Sequence, residues 1–344
     1  MDRSGPHHPP RRPTLAEVAS LAGVSHQTVS RVVNNFEGVR PATREKVQAA
    51  IKELGYRRNT AARALATNES RLVGVITVGS FLYGPTSTLA AIEDAAREHG
   101  YMTLIATVKD TDRKNLDAAV NECLERAVDA LIIIANQEMW VRYTSTLKID
   151  IPLIVVGPRP NDIGALTCMS VNQSHGAEMA IEHLSALGHK KVIILAGPRD
   201  WVDAQQRLSG ALTACYRRGI VSEVREGDWS AKRGHQVGRE ILEMPGHERP
   251  TGIFAANDHM ALGLLAAFNQ DGLSVPADIS IVGFDDSPGS EFYSPPLTTI
   301  RQDFTALGTK VLAACLSLIR DEKPDIELVD PILLVRASTG KSRS

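Results

Sequence analysis

From residue 71 onward the chain repeats one pattern, a short apolar run followed by a longer stretch with apolar residues at helical spacing. The runs LVGVITV, MTLIAT, ALIIIA and PLIVV come first, with helical stretches at Thr88–Gly100 and Lys114–Arg126 between them. The pattern then runs again. A helix near Gly176–Leu187 precedes KVIILAG, helices follow over Ala204–Arg218 and near Lys232–Leu242, and then come GIFAAN, a helix to Asp271, and ISIVGF. Alternation of this kind predicts parallel sheets covered by helices, and two sets of it predict two lobes.

The apolar runs are far shorter than the roughly 20 residues needed to span a bilayer. The opening MDRSGPHHPPRRP has charge and proline but no apolar core, so it reads as a disordered arm and not a secretory signal. A cytoplasmic protein is expected. The four cysteines, Cys123, Cys168, Cys215 and Cys315, are scattered without metal-ligand spacing and read as core thiols. No cofactor or metal is expected.

The first sixty residues differ in kind. Thr14-Leu15-Ala16-Glu17 has the form of a capping box, Leu15, Val18, Ala19 and Ala22 make one apolar stripe, and Gly23 permits a tight turn. Ser25 then caps a second helix, whose Val29, Val32 and Val33 face inward, while His26, Gln27, Ser30, Arg31 and Asn34 fall on the opposite face. A third helix follows Pro41, with Val47, Ala50, Ile51 and Leu54 in register and a stop at Gly55. Two short helices around a tight turn, braced by a third, describe a helix-turn-helix module, in which the start of the second helix meets base edges in the major groove. Gln and Arg can bond adenine and guanine in a bidentate manner, and His can donate or accept. Ser25, Thr28, Ser30 and Asn34 flank these three and can reach phosphates or bases.

Charge agrees with this reading. Residues 1–71 hold 12 Lys and Arg against 6 Asp and Glu, a balance of +6 in a chain whose total is −2. A basic segment favours a polyanionic partner through counterion release. The next stretch, RRNTAARALATNES, is rich in alanine but too short and too polar to form a stable helix alone in water.

TLAEVASLAGVSHQTVSRVVNN followed by PATREKVQAAIKELGY resembles the DNA-binding headpiece of the LacI/GalR family. The resemblance implies that His26, Gln27 and Arg31 read bases and that Leu65 wedges into the minor groove from a hinge helix, in which Asn59 and Ala62 also match. Arg58 stands where the family often has proline, and His26 where a well-known member has tyrosine.

In open α/β sheets ligands bind beyond the carboxyl ends of the strands. Gly84-Pro85, the segment leading to Arg207, Asn257-Asp258 and Asp285-Asp286 all follow predicted strands, and Trp229 and Phe304 add aromatic surface. Arg, Asn and Asp near aromatic rings suit a polyhydroxylated ring. EGDWSA, ANDHMALG, DISIVGFDD and PPLTTIRQDF resemble the effector-binding core of the same family, which is similar to periplasmic sugar-binding proteins. The implied effector contacts are Pro85, Arg207, Trp229, Asn257, Asp285, Gln302 and Phe304. Gly157 stands where one member has an acidic sugar contact and Asp203 where it has serine, which argues against a galactoside.

The expected fold class is an N-terminal all-α helix-turn-helix headpiece plus a two-lobed α/β core, periplasmic-binding-protein-like, with parallel sheets. The expected boundaries are an arm at 1–13, headpiece at 14–57, hinge helix and linker at 58–71, and core at 72–339. One lobe takes about 72–170 and 302–327, the other about 171–301 and 328–339. Motifs for nucleophilic hydrolysis, zinc proteolysis and nucleotide binding are absent, and the adjacent pair Asp285-Asp286 is a poor acid/base pair, so no enzyme is expected.

The favoured function is a transcriptional repressor that binds a palindromic double-stranded operator as a homodimer and is released by a small sugar, a mono- or disaccharide. After Arg336 the tail ASTGKSRS has no leucine heptad for a tetramer. The rival readings are a same-fold regulator with a purine or other corepressor, a solute-binding protein without a DNA role, and an enzyme.

Overall fold

The computed structural model describes residues 13–57, 69–78, 82–108, 112–159 and 166–343. The chain forms two compact units, 1–70 and 71–344. The arm before residue 13 and the hinge positions Arg58, Asn59, Ala62 and Leu65 lie outside the described residues.

The first unit contains helices α1 (Leu15–Ala22), α2 (His26–Val33) and α3 (Pro41–Leu54). The capping box forms as the sequence predicts: the Glu17 amide donates to Thr14 Oγ1 at 3.3 Å, and Glu17 Oε2 accepts from the Thr14 amide at 2.6 Å. Gly23 ends α1 at φ 64°, which lets α2 start three residues later. Val18, Ala19, Val29, Val32, Val47 and Ala50 are buried together and form the core of the unit.

The second unit holds two sheets. The first is β1 (Leu72–Val78), β2 (Met102–Val108), β3 (Ala130–Ala135), β4 (Leu153–Val156) and β5 (Thr167–Met169), in the order β2-β1-β3-β4-β5 and parallel throughout. The second is β6 (Lys191–Ala196), β7 (Val221–Glu226), β8 (Gly252–Ala255), β9 (Ser280–Asp285), β10 (Thr298–Arg301) and β11 (Ile332–Leu334), in the order β11-β10-β9-β8-β6-β7. Only the β10–β11 pair is antiparallel among these. Strands such as β3, buried along all of ALIIIA, are apolar at every position because helices cover both faces.

Helices α4 (Tyr83–Glu98), α5 (Arg113–Glu125) and α6 (Glu138–Thr144) accompany the first sheet, and α7 (Gln173–Ala186), α8 (Val202–Arg218), α9 (Ala231–Glu243) and α10 (Asp258–Gln270) the second. The last helix, α11 (Phe304–Ile319), returns to the first sheet, where Leu307, Val311 and Leu312 join a core with Val73, Ile132 and Ile154. The chain thus crosses between lobes after β5, after β10 and again between α11 and β11.

Several elements differ from the sequence reading. Helix α4 begins at Tyr83, five residues before the expected Thr88, so Gly84-Pro85 lies in its first turn and not in a loop. Proline is at home there, since the first-turn amides have no intrahelical acceptor to lose. Helices α6 and α11 and strands β5, β7, β10 and β11 add to the elements read from the sequence. All four cysteines are buried free thiols.

Candidate functional site

In the first unit, His26, Gln27 and Arg31 are exposed on one side of α2. Ser25 and Thr28 are engaged with each other: Ser25 Oγ accepts the Thr28 amide at 3.2 Å and pairs with Thr28 Oγ1 at 2.9 Å. Their hydroxyls close the start of the helix, which leaves His26 and Gln27 as the reaching side chains. Asn34 caps the other end, and its Nδ2 donates to Ser30 Oγ at 3.3 Å. Arg31 places its guanidinium 5.5 Å from the centroid of Phe36, an exposed aromatic that the sequence reading passed over. The carbonyl of Phe36 accepts from Arg44 of α3 at 2.7 Å, so this platform is anchored to the third helix.

In the second unit, residues beyond the carboxyl ends of both sheets face one cleft, which encloses about 670 Å³ with its mouth included. Every effector contact implied by the resemblance lines it: Pro85, Arg207, Trp229, Asn257, Asp285, Gln302 and Phe304. At its base lies a closed ring of four buried polar side chains. Arg207 Nε donates to Gln173 Oε1 at 2.8 Å, Gln173 Nε2 to Gln302 Oε1 at 2.8 Å, and Gln302 Nε2 to Asp285 Oδ1 at 2.7 Å. The Arg207–Asp285 ion pair closes the ring at 3.2 Å. Its direction is forced, because guanidinium only donates and an ionised carboxylate only accepts, so each glutamine amide has one workable orientation. Gln173 has no sequence signature, and its part in the ring emerges only from the fold.

Arg207 is further held by the Ala256 carbonyl and by stacking on Phe284, with its Cζ 3.8 Å from that centroid. Trp229 takes a left-handed backbone, φ 70°, and Asp285 does likewise at φ 108°. Side chains rarely adopt such conformations, and strain of this kind gathers at ligand sites. Asn257 holds Trp229 there. Its Nδ2 donates to the Trp229 carbonyl at 3.0 Å, while its Oδ1 caps α10 by accepting the Met260 amide at 2.9 Å. The indole lies against Gly197, where a Cβ would come within 2.2 Å of the ring. Trp201 meets Trp229 edge-on at 5.7 Å, and Tyr83 meets Phe304 in the same manner at 5.7 Å, so aromatic pairs stand at two places on the wall.

Burial raises the Asp285 carboxyl above the ordinary range, although Arg207 and Gln302 oppose it. Its neighbour Asp286 points elsewhere, to Arg301 and Arg336; burial alone would raise it, but bonds from those two arginines outweigh this and hold it low. Beneath the site, Asp258 is wholly buried and pushed up to about 7 by desolvation and by Asp285. Gly157 can carry no carboxylate without backbone movement, since a Cβ would stand 2.5 Å from the Ala135 carbonyl oxygen. Among the described residues, no group of His, Cys, Asp and Glu is arranged to hold a metal, and no helix is long and apolar enough to cross a membrane.

Residues 14–59 match the family described as bacterial regulatory proteins, lacI family, and residues 181–339 match a periplasmic binding protein-like domain. The lactose operon repressor of Escherichia coli (strain K12) is 38% identical over 331 residues, covering 95% of this chain and 90% of the relative. The chain belongs to the lacI family of bacterial regulatory proteins. A crystal structure of the lac repressor dimer bound to operator and the anti-inducer ONPF superposes with a TM-score of 0.83 at 36% identity, covering 96% of this chain and all of that one. The complex of the transcriptional regulator CelR with cellobiose gives 0.69 at 28% identity, covering 95% of this chain and all of that one. As a lacI-family repressor, the chain has a DNA-binding helical unit and an effector-binding α/β core, and it is a transcription regulator, not an enzyme.

Proposed function

We propose that this repressor binds a palindromic operator as a homodimer and that a small neutral sugar in the cleft lowers its DNA affinity. The observation that carries the sugar reading is the ring Arg207–Gln173–Gln302–Asp285 flanked by aromatic faces. Fixed bidentate groups beside apolar plates match a molecule with hydroxyls at its edge and C–H bonds on its face. The transcriptional regulator CelR, similar to this chain, forms a complex with cellobiose, a disaccharide, in line with the same reading.

For DNA, His26, Gln27 and Arg31 are the base-reading residues, and Ser30 and Asn34 border them. The hinge positions Arg58, Asn59, Ala62 and Leu65 would pack at the operator centre, where a leucine wedge unstacks a base step. One short helix reads too few bases for useful specificity, and two related by a twofold axis read a palindrome. Met102 and Ile105, exposed apolar residues on the edge strand β2, offer surface for a second copy. The effector needs no contact with DNA: it acts by binding better to the lobe arrangement that disfavours the paired hinges.

The test is an operator selected from random duplexes, then titrated by fluorescence anisotropy with a panel of mono- and disaccharides. Release of DNA by one sugar, lost in D285A, is the expected result. A ligand that tightens DNA binding would reverse the sign of regulation, and unchanged affinity in L65S would remove the wedge.

A further inference from the structure

One part of the cleft wall lies outside the ring. Asn136, at the end of β3, belongs to one lobe and Asp203, in the first turn of α8, to the other, and Asn136 Nδ2 donates to Asp203 Oδ2 at 2.8 Å. Both line the cleft. Burial raises the Asp203 carboxyl above the ordinary range, while Arg207 and the Asn136 amide oppose this and favour the ionised form; with Asn136 Nδ2 committed to Asp203, the amide oxygen points away from it. That oxygen is buried without a hydrogen-bond partner, and so is the indole nitrogen of Trp229 on the same wall. Buried polar atoms are nearly always satisfied, so two unpartnered atoms on residues that line one cleft suit a ligand that bonds them.

The charge on this wall has a sign. Arg207, one turn along α8 from Asp203, is already committed to Asp285, Gln173 and the Ala256 carbonyl. Asp203 therefore faces the cleft with an amide as its direct partner and no cation bonded to it in the described residues. We infer that Asn136 and Asp203 form a specificity subsite that takes a hydroxyl donor of an uncharged sugar and rejects carboxylated or phosphorylated sugars. Asn136 Oδ1 and the Asp203 carboxylate both accept, so the ligand must bring the hydrogens, and an anionic group brings none. Trp229 Nε1 supplies the complementary donor to a ligand oxygen. This inference rests on the carbohydrate reading of the cleft and adds which carbohydrates it admits.

The experiment uses the full-length chain. A thermal-shift screen of neutral pentoses, hexoses and disaccharides is followed by calorimetric titration of the best hit beside its uronic acid and its 6- or 5-phosphate. Wild type should bind the neutral sugar about 100-fold more tightly than either anion, since a second negative charge at this wall meets Asp203 in a poorly solvated site. D203N keeps an acceptor for Asn136 and removes the charge, so it should hold the neutral sugar within about threefold and narrow the discrimination by about tenfold. N136L should lose about tenfold in neutral-sugar affinity. An anion bound as tightly as its neutral parent by wild type, or an unchanged ratio in D203N, would overturn the inference and leave the carbohydrate reading intact. A screen in which no neutral sugar binds would remove the carbohydrate reading itself, and this one with it.

Discussion

Asp258 is fully buried at the first position of α10, and no Arg or Lys bonds it among the described residues. Its oxygens accept from the Ser287 amide at 2.7 Å, Ser287 Oγ at 3.2 Å and Thr299 Oγ1 at 2.6 Å, all neutral donors. Burial and the nearby Asp285 push its carboxyl from 3.8 up to about 7. That difference corresponds to about 4 kcal/mol of differential interaction between protonated and ionised forms. The sign follows from linkage: between about pH 4 and 7 the folded chain keeps a proton that the unfolded chain has released, so stability falls as pH rises through that window.

D258N removes this titration while preserving the local bonds, because its Oδ1 can accept from the Ser287 amide and its Nδ2 can donate to Thr299 Oγ1. Melting curves of the core transition for wild type and D258N, taken from pH 4.5 to 8.5, should diverge. Relative to the variant, wild type should lose about 7–13 °C in melting temperature across the range, given that about 3.3 kcal/mol of the linkage falls within it and one kcal/mol is worth about 2–4 °C in a unit of this size. Comparing the two curves cancels the contributions of His183 and His189, whose imidazoles burial lowers. Parallel curves would show that Asp258 is ionised in the folded core at all these pH values and would refute the reasoning.

Three further outcomes can be measured directly. S25A removes the oxygen that accepts the Thr28 amide, so urea unfolding of the helical unit should register a loss of about 1 kcal/mol. R207M leaves Asp285 and Gln173 Oε1 without their arginine donor and should cost the core about 3–5 kcal/mol in chemical denaturation, with R207M/D285L recovering much of that loss. G157D forces a Cβ onto the Ala135 carbonyl, so the substitution should lower the melting temperature of the core and should not create a new sugar contact.

What the sequence disclosed followed burial. Strands covered on both faces, such as β1, β3 and β8, read as unbroken apolar runs, and the capping box and glycine stops of the helical unit are local signals that need no tertiary context. Strand β7, VSEVRE, lies at a sheet edge with charges along it, and β5 and β11 have three residues each, so none carries a period that can be read. Arg207, Asp285 and Gln302 could be picked out near strand ends or by resemblance. Asn136 directly follows ALIIIA, so the same strand-end rule reaches it. Gln173 was not legible as a site residue, because it acts through partners far away in the chain; Asp258 could be placed at a strand end, but its raised carboxyl comes from a desolvation that only the packed core imposes.

Gln173 and Gln302 lie on two of the segments that pass between the lobes, just after β5 and just after β10. The four-membered ring therefore sits at the fulcrum of the core, where any swing of one lobe against the other has its shortest arm. A ligand that shifts Arg207 or Asp285 by a fraction of an ångström works at the short end of a lever, and the far ends of the lobes travel the longer arc. Because the ring has only one direction of donation, it has no half-turned form to absorb such a shift gradually. Lobe motion must carry the ring intact or open it.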